Sequence, residues 1–342
     1  MGRGGINLNR YTRIARLSEI GAAGLEKLSQ AKVALVGCGT LGGAYALHLV
    51  RLGVAALRLI DRDIVEVHNL PTQFLFDEAD CKQVLPKAIA AQQHLQVINS
   101  RCLVEALPVE LRFDNAEQLL SGVDVILDGT DNFETRFLIN EVAVKNGIPW
   151  VYTGVVGFTG LVMAIVPQQT ACLNCLLDEP PAAGALPTCE TMGVWAPAAH
   201  SVAALGLTKA LRILLGQPLE ASLTELDLDA ERWRKVIVKR KPECRTCGKA
   251  DFIYLNGKRG FKAMKLCGRD MVHLSPEKEM NLNLPQLAKR FESNFSIQLS
   301  EYLLHLKVPE AEISIFPDGR ALIKGISDPV LARSIFNRYI ST

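Results

Sequence analysis

A doubly wound α/β fold built on a mostly parallel, Rossmann-like sheet is what this sequence predicts, on three observations. Short apolar runs alternate with stretches of helical periodicity between residues 32 and 157. The first run turns into a helix through glycines in G-x-G-x-x-G spacing. Two of the runs end in aspartate. Strands alternating with helices build a parallel sheet covered on both faces, and such sheets bind ligands beyond the carboxyl ends of their strands.

Each element follows in order. In "KVALVGCGTLGG" (32–43), Lys32 to Val36 read as a strand, and Gly37, Gly39 and Gly42 precede the helical pattern "GAYALHLVRLG". Glycines there let backbone N–H groups approach a phosphate closely, at the positive end of a helix. The motif alone fits a nicotinamide or flavin enzyme, an ATP enzyme, or a plain glycine turn. "AALRLID" (55–61) is a second strand, and Asp61 stands nineteen residues after Gly42, a spacing that suits a ribose-binding acid. "PKAIAAQQHLQVIN" (86–99) has helical periodicity, "RCLVEALP" reads as a strand and "AEQLLSG" as a short helix. "VDVILDGTDN" (123–132) is an apolar strand ending in acids, "FETRFLINEVAVKNG" a helix closed by Gly147, and "IPWVYTGVVG" and "GLVMAIVP" are further strands. Residues 176–199, rich in Pro, Gly and Ala, form a loop too long for an ordinary connector. The apolar helix "SVAALGLTKALRILLG" (201–216) and a strand pair follow. Past residue 250 the texture changes. "LPQLAKRFES" and "DPVLARSIFNRYI" read as helices, and "EYLLHLKV", "EISIFPDG" and "RALIKGI" as short strands joined by a Pro-Asp-Gly turn. The expected division is residues 1–250 and a small α+β appendage at 251–342.

With 342 residues, 49% of them hydrophobic, the chain can bury a substantial core, and its net charge of +2 gives no argument for nucleic acid or membrane as main partner. "MGRGGINLNRYTR" has no apolar core of signal-peptide type, and Ile6 stands where a myristoylation motif wants Ser or Thr; a cytoplasmic protein is expected. The nine cysteines, an odd count without a secretion signal, favour reduced thiols over a disulfide framework. Cys172 and Cys175 form "CLNC", and Cys244 and Cys247 form "CRTC". Two such knuckles make a four-thiolate tetrahedral site that Zn²⁺ fills in a structural role, tying distant parts of the chain together. The competing reading is two unrelated pairs or a redox pair.

A nicotinamide reading leaves Arg10 and Arg13 in "RYTR", Lys87 in "LPK" and Asp131 idle. Nucleotidyl transfer from ATP needs groups of each kind. Its transition state gathers charge on the α-phosphoryl group, where cations stabilise it, and a carboxylate suits a Mg²⁺ ion bridging phosphate oxygens.

Taken together, "RYTR", "VALVGCGTLGG", "LIDRD" with "HNL", "LPKA", "ILDGTDN", both cysteine knuckles and "TCETMGVWAP" make residues 8–250 resemble the ThiF/MoeB/HesA proteins, relatives of the ubiquitin-activating enzymes. The appendage, with "LCGRD" and "FPDGRALIKG", is similar to the C-terminal extension of a ThiF subset found with thiamine-synthesis genes. The resemblance implies adenylation of the C-terminal carboxylate of a ubiquitin-like sulfur carrier protein ending in Gly-Gly, with release of pyrophosphate. A sulfur donor such as a cysteine desulfurase would later convert the adenylate to a thiocarboxylate. It also implies that Gly37, Gly39 and Gly42 line the ATP phosphates, Asp61 binds the ribose, Asn69 and Lys87 contact phosphates, and Asp131 holds Mg²⁺. Arg13 would reach the neighbouring subunit's nucleotide, so a homodimer is implied. One position departs from the family: where Gln-Arg-Gln usually follows "NL", this chain has "NLPTQ", and Thr72 stands in the arginine's place.

Cys189 occupies the family's "TC" position, where some members link covalently to the carrier; a dispensable loop thiol is the other reading. Cys38 and Cys102 read as packing residues, Cys267 as a structural residue or second thiol, and His200 as a cap or packing residue. Asp128 either assists Mg²⁺ or closes its strand, and Arg10 either touches phosphate or makes a surface salt bridge. A thiamine-type (ThiS) carrier is favoured over a molybdopterin-type (MoaD) one. The other readings are a peptide-modifying adenylase, a silent carrier-binding scaffold and a nicotinamide oxidoreductase.

Overall fold

The computed structural model describes residues 8–182, 185, 187–259, 271–276 and 280–340. They belong to two compact units, Met1–Gly260 and Phe261–Thr342.

The first unit opens with α1 (Leu8–Ala15) and α2 (Gly21–Leu28), followed by β1 (Lys32–Val36), α3 (Thr40–Leu52) and β2 (Ala56–Ile60). Next come α4 (Glu78–Lys82), α5 (Lys87–Ile98), β3 (Leu103–Leu107), α6 (Ala116–Leu119), β4 (Val125–Asp128) and α7 (Phe133–Asn146). The run closes with β5 (Trp150–Val156), β6 (Thr159–Ile165), α8 (Leu173–Leu176), α9 (Cys189–Met192), α10 (Ala196–Leu215), β7 (Ser222–Asp227) and β8 (Arg232–Ile237). The sheet has strand order β3-β2-β1-β4-β5-β6-β7-β8; it is parallel from β3 to β5 and antiparallel from β5 to β8.

The strands that flank the site are apolar because both faces of the sheet are covered: four of five residues in β1 and all four in β4 are buried. The chain leaves β1 towards β2 and β3, then returns to the other side of β1 as β4. That reversal is the topological switch point, and it opens a crevice at the carboxyl ends of β1 and β4. α7 starts where Asn132 Oδ1 accepts the Thr135 N–H (2.9 Å) and stops at Gly147, whose φ of +68° admits the left-handed turn.

The long Pro/Gly/Ala-rich segment is not all loop: α9 lies within it, and α10 begins at Ala196, five residues before its expected start. Pro197 reads as a breaker in sequence, but in a first helical turn it lacks only an N–H that would have no partner. α10 is long and apolar enough to cross a membrane by length and composition; here its apolar face packs on α3, β5 and β6.

In the second unit β9 (Met271–Leu274), α11 (Leu284–Phe291), β10 (Ser296–Leu299), β11 (Leu304–Lys307), β12 (Glu312–Ile315), β13 (Ala321–Lys324) and α12 (Pro329–Ile340) form an antiparallel sheet of order β10-β11-β12-β13-β9 with two helices. Alternate residues Val272, Leu304, Leu306, Ile313, Ile315 and Ile323 bury against Leu287 and Phe291 of α11 and Ile335 of α12. The Pro-Asp-Gly turn forms as expected, with Gly319 at φ +85° donating to the Phe316 carbonyl (3.0 Å). Cys267 lies outside the described residues.

Candidate functional site

Three glycines at the switch point are fixed by backbone contact. Gly37 sits at φ +88°, and a Cβ on it would lie 2.6 Å from the Gly129 carbonyl oxygen. A Cβ on Gly42 would lie 1.9 Å from the Gly37 oxygen, and one on Gly129 2.5 Å from the same atom. Gly37, Gly42 and Gly129 therefore exist to let the β1–α3 turn and the end of β4 touch. Gly39, the residue just before α3, is different: nothing lies nearer its Cβ position than the Gln73 side chain at 3.6 Å. The space over Gly39 is open at the amino end of a thirteen-residue helix, where free N–H groups and the helix dipole favour an anion.

Acids and bases alternate along one side of this loop. Asp61, at the end of β2, accepts the Cys38 N–H through Oδ2 (2.6 Å) and the Asp63 N–H through Oδ1 (2.8 Å). Burial pushes its carboxyl up, while the Lys87 ammonium pulls it down. Lys87, the first residue of α5 and only 4% exposed, pairs with Asp63 Oδ2 at 3.2 Å. Next to Asp63, Arg62 binds Glu110 at 2.5 Å. Burial works against the Arg62 charge, but Glu110, Asp63 and Asp131 outweigh it and raise its pKa. Glu134, in the first turn of α7, has a buried Oε2 without a hydrogen-bond partner, and burial raises its pKa.

The two aspartates after β4 part company. Asp128 is fully buried; its Oδ1 accepts from the Thr130 N–H (2.9 Å) and hydroxyl (2.7 Å), and its Oδ2 from Arg136 Nε (3.0 Å) and the Thr153 N–H (3.2 Å). All its acceptor capacity is spent inside, so of the two expectations for Asp128 the strand-closing one holds. Arg136 also donates to the carbonyls of Thr130 (2.5 Å) and Thr153 (3.0 Å) and lies between the Phe133 and Tyr152 rings. Asp131 is exposed, held at the crevice by this rigid turn.

Asn69 is buried, and its Oδ1 accepts the Glu66 N–H (3.0 Å) in a reciprocal cap of a short 3-10 turn. Its carbonyl accepts the N–H groups of Thr72 (3.1 Å) and Gln73 (2.8 Å), and the Thr72 hydroxyl lies 3.4 Å from it. The turn thus presents Gln73 to the glycine loop.

Other candidates lie elsewhere. α1 is tied to the far ends of α3 and α5: Arg10 Nη2 donates to the Ile98 carbonyl (2.5 Å), and Tyr11 lies against Gly53. That end of α3 is about 20 Å from Gly39 at ~1.5 Å per residue. Arg10 is therefore a helix-end donor rather than a salt-bridge residue, and both it and exposed Arg13 stand at the end of the unit away from their own glycine loop. Cys189, the first residue of α9, donates from Sγ to the Val155 carbonyl near the end of β5 (3.0 Å). Cys38 and Cys102 are buried thiols raised by burial, to about 12 for Cys102. His200 packs edge-on to Phe74.

The two cysteine knuckles meet. The Sγ atoms of Cys172, Cys175, Cys244 and Cys247 all lie within 4.8 Å of one another, with Cys172–Cys175 at 4.0 Å, Cys172–Cys244 at 3.6 Å and Cys175–Cys247 at 3.4 Å. A tetrahedral zinc with bonds of ~2.3 Å sets sulfurs ~3.8 Å apart, so the cluster fits that ion with no open position. The Cys172–Cys244 contact holds the first thiol up and the second down, as two sulfurs sharing one proton do, and a cation among the four sulfurs would let all of them ionise. Asn174 Oδ1 accepts from Asn140 Nδ2 (3.1 Å) and from the Thr246 hydroxyl (2.7 Å), locking both knuckles to α7.

Lys87, Asp61 and the glycines were legible from motifs; the pairing of Arg62 with Glu110 and the place of Arg136 were not, and Gln73, inside "NLPTQ", had no role assigned to it. Residues 11–246 match the model of the ThiF family. The sulfur carrier protein ThiS adenylyltransferase of Bacillus subtilis is 38% identical over 335 residues, which are 97% of this chain and 99% of its own. A sulfur carrier protein adenylyltransferase of Thermus thermophilus is 38% identical over 70% of this chain and 91% of its own. Among solved structures, E. coli MccB with ATP has the same fold, with a TM-score of 0.61 over 71% of this chain and 75% of that one at 24% identity.

Proposed function

This chain belongs to the ThiF family, and from that premise we propose that it adenylates the C-terminal Gly-Gly carboxylate of a ubiquitin-like sulfur carrier protein. The observation that carries the reading is the shared crevice: the open face of Gly39, buried Lys87 paired with half-buried Asp63, and the exposed Asp131 carboxylate gather at one switch point. The carrier carboxylate, ionised at neutral pH, needs no general base. One of its oxygens attacks the α-phosphorus, the bond to the bridging oxygen breaks, and the electron pair leaves with pyrophosphate. Lys87 stabilises the charge that develops on the α-phosphoryl group, and burial keeps that charge from being screened. Asp61 orients the ribose, and Asn69 shapes the turn beside the phosphates. Asp131 would hold Mg²⁺, which when bound neutralises phosphate charge.

Arg13 of a second copy completes the site, because its own helix is tied to the opposite ends of α3 and α5; we infer a homodimer. We infer that the Cys189 thiol takes the acyl group as a thioester, losing its proton as AMP leaves, before sulfur arrives from a donor such as a cysteine desulfurase; its hydrogen bond to the Val155 carbonyl near the end of β5 supports this over a dispensable loop thiol. The four-cysteine cluster would hold a structural Zn²⁺. The Bacillus relative, named for ThiS, aligns over nearly the whole chain, and this favours a thiamine-pathway carrier over a molybdopterin-type one. The cytoplasm suits such chemistry, and none of the described cysteines is in a disulfide. Intact-mass spectrometry of a ThiS-type carrier incubated with enzyme, ATP and Mg²⁺ tests the proposal. A gain of one adenylyl group that disappears when the Gly-Gly tail is removed is expected, and no gain would overturn it.

A further inference from the structure

We infer that Gln73 is a further substrate-contacting residue, donating a hydrogen bond from its carboxamide to a phosphate oxygen of ATP above Gly39; this rests on the nucleotide reading of the crevice. The argument begins with Gly39. Gly37, Gly42 and Gly129 are glycines because backbone atoms lie within 2.6 Å of where a Cβ would be, whereas Gly39 meets only Gln73 Nε2 at 3.6 Å and Cδ at 3.9 Å. Packing within the protein gives no reason for a glycine at 39. A ligand approaching the backbone there does, and Gln73 borders that space.

The carboxamide is oriented in an unusual way. Its Oε1 is buried with no hydrogen-bond partner, and among the described residues the side chain makes no hydrogen bond at all. An amide that turns its acceptor into the protein unsatisfied turns its donor outward, towards an acceptor that must come from elsewhere. Phosphate oxygens are acceptors only. The backbone of the residue is held on both sides: its N–H donates to the Asn69 carbonyl (2.8 Å), and its carbonyl accepts the Phe76 N–H (3.1 Å). Leu75, 8% exposed, packs over Gly43, and Phe74 packs on His200. The donor is therefore positioned before ATP arrives. Thr72, one residue earlier, has its hydroxyl 3.4 Å from the Asn69 carbonyl in the same turn. Gln73, the next residue, supplies a neutral donor to the phosphates beside Thr72.

Isothermal titration of the full-length protein with ATP and Mg²⁺ tests this. Gln73→Met keeps the length and removes the donor; Gln73→Glu keeps the shape and turns a carboxylate on the phosphates. Each should weaken ATP binding by roughly tenfold or more, the size of one hydrogen bond to a charged group, with Gln73→Glu the worse. Gly39→Ala is a second, independent arm. The free protein has room for its methyl group, so its melting temperature should stay at the wild-type value while ATP affinity falls. ATP binding unchanged in both Gln73 variants would overturn the inference, even with normal binding by the wild type. A wild type that binds no ATP would overturn the nucleotide reading, and this inference with it.

Discussion

Glu141 gives a pH prediction whose size follows from its surroundings. It lies on α7 with no exposed surface; its Oε2 accepts the backbone N–H groups of Tyr254 (2.9 Å) and Leu255 (2.8 Å), and its Oε1 is buried without a partner. Burial pushes its carboxyl from an ordinary 4.5 to about 7, against the pull of those N–H groups and of Arg245. The unfolded chain therefore gives up this proton at lower pH than the folded chain. Below the unfolded value both states keep the proton and the group is neutral to stability. Between the two values only the unfolded state ionises, so stability falls as pH rises, and above about 7 the loss is complete. The displacement corresponds to ~3 kcal/mol in full, of which ~2–3 kcal/mol is lost between pH ~5 and pH ~8. Glu141→Gln keeps an acceptor for the same N–H groups and removes the titration. Relative to wild type it should gain ~2–3 kcal/mol over that interval, which is roughly 5–10 °C in melting temperature for a unit of this size. Paired thermal melts at the two pH values decide it. A gap between variant and wild type that does not change with pH would refute the reasoning.

Three further outcomes are expected. Chelation of zinc, or Cys244→Ser, should lower the melting temperature before it alters nucleotide binding, and metal analysis should return one zinc per chain; an unchanged melt in the metal-free protein would contradict the structural assignment. Gly42→Ala forces a Cβ to within 1.9 Å of the Gly37 oxygen, so it should cost ~1–3 kcal/mol in denaturant unfolding and abolish ATP binding together. Asp131→Ala removes an exposed side chain with no hydrogen bond or ion pair among the described residues, so it should abolish adenylation with little change in melting temperature; full activity would remove Asp131 from the metal role.

The parts of the site visible in sequence are those whose chemistry is local. Gly37, Gly39, Gly42 and Asp61 fall within one strand-turn-helix-strand stretch, and the knuckle cysteines announce themselves by spacing. What sequence could not show is long-range partnership. Asp128 could either assist the metal or close its strand until Arg136 and Thr153 were seen to occupy it. Arg62 acquires meaning only beside Glu110, forty-eight residues away. β9 is buried at all four positions and β10 at none, so neither shows an alternation of period two, and α10 was read too short because its first turn lies in the Pro/Gly/Ala-rich stretch read as loop. The motifs carry no sign that β6 to β8 would turn antiparallel: the connections from β5 to β6 (157–158) and from β7 to β8 (228–231) are of hairpin length, but β6 and β7 pair antiparallel across the long segment that holds α8, α9 and α10.

The central claim is carrier-dependent adenylation, and the most direct measurement is exchange of labelled pyrophosphate into ATP. It would be run with purified protein alone, with a ThiS-type carrier, with a molybdopterin-type carrier, and with a carrier lacking its Gly-Gly tail. Exchange with the ThiS-type carrier that is lost with the tail and with Lys87→Met is the predicted result. Silence with every carrier, in protein that binds ATP, would contradict the account and turn attention to a carrier-binding scaffold or a peptide substrate.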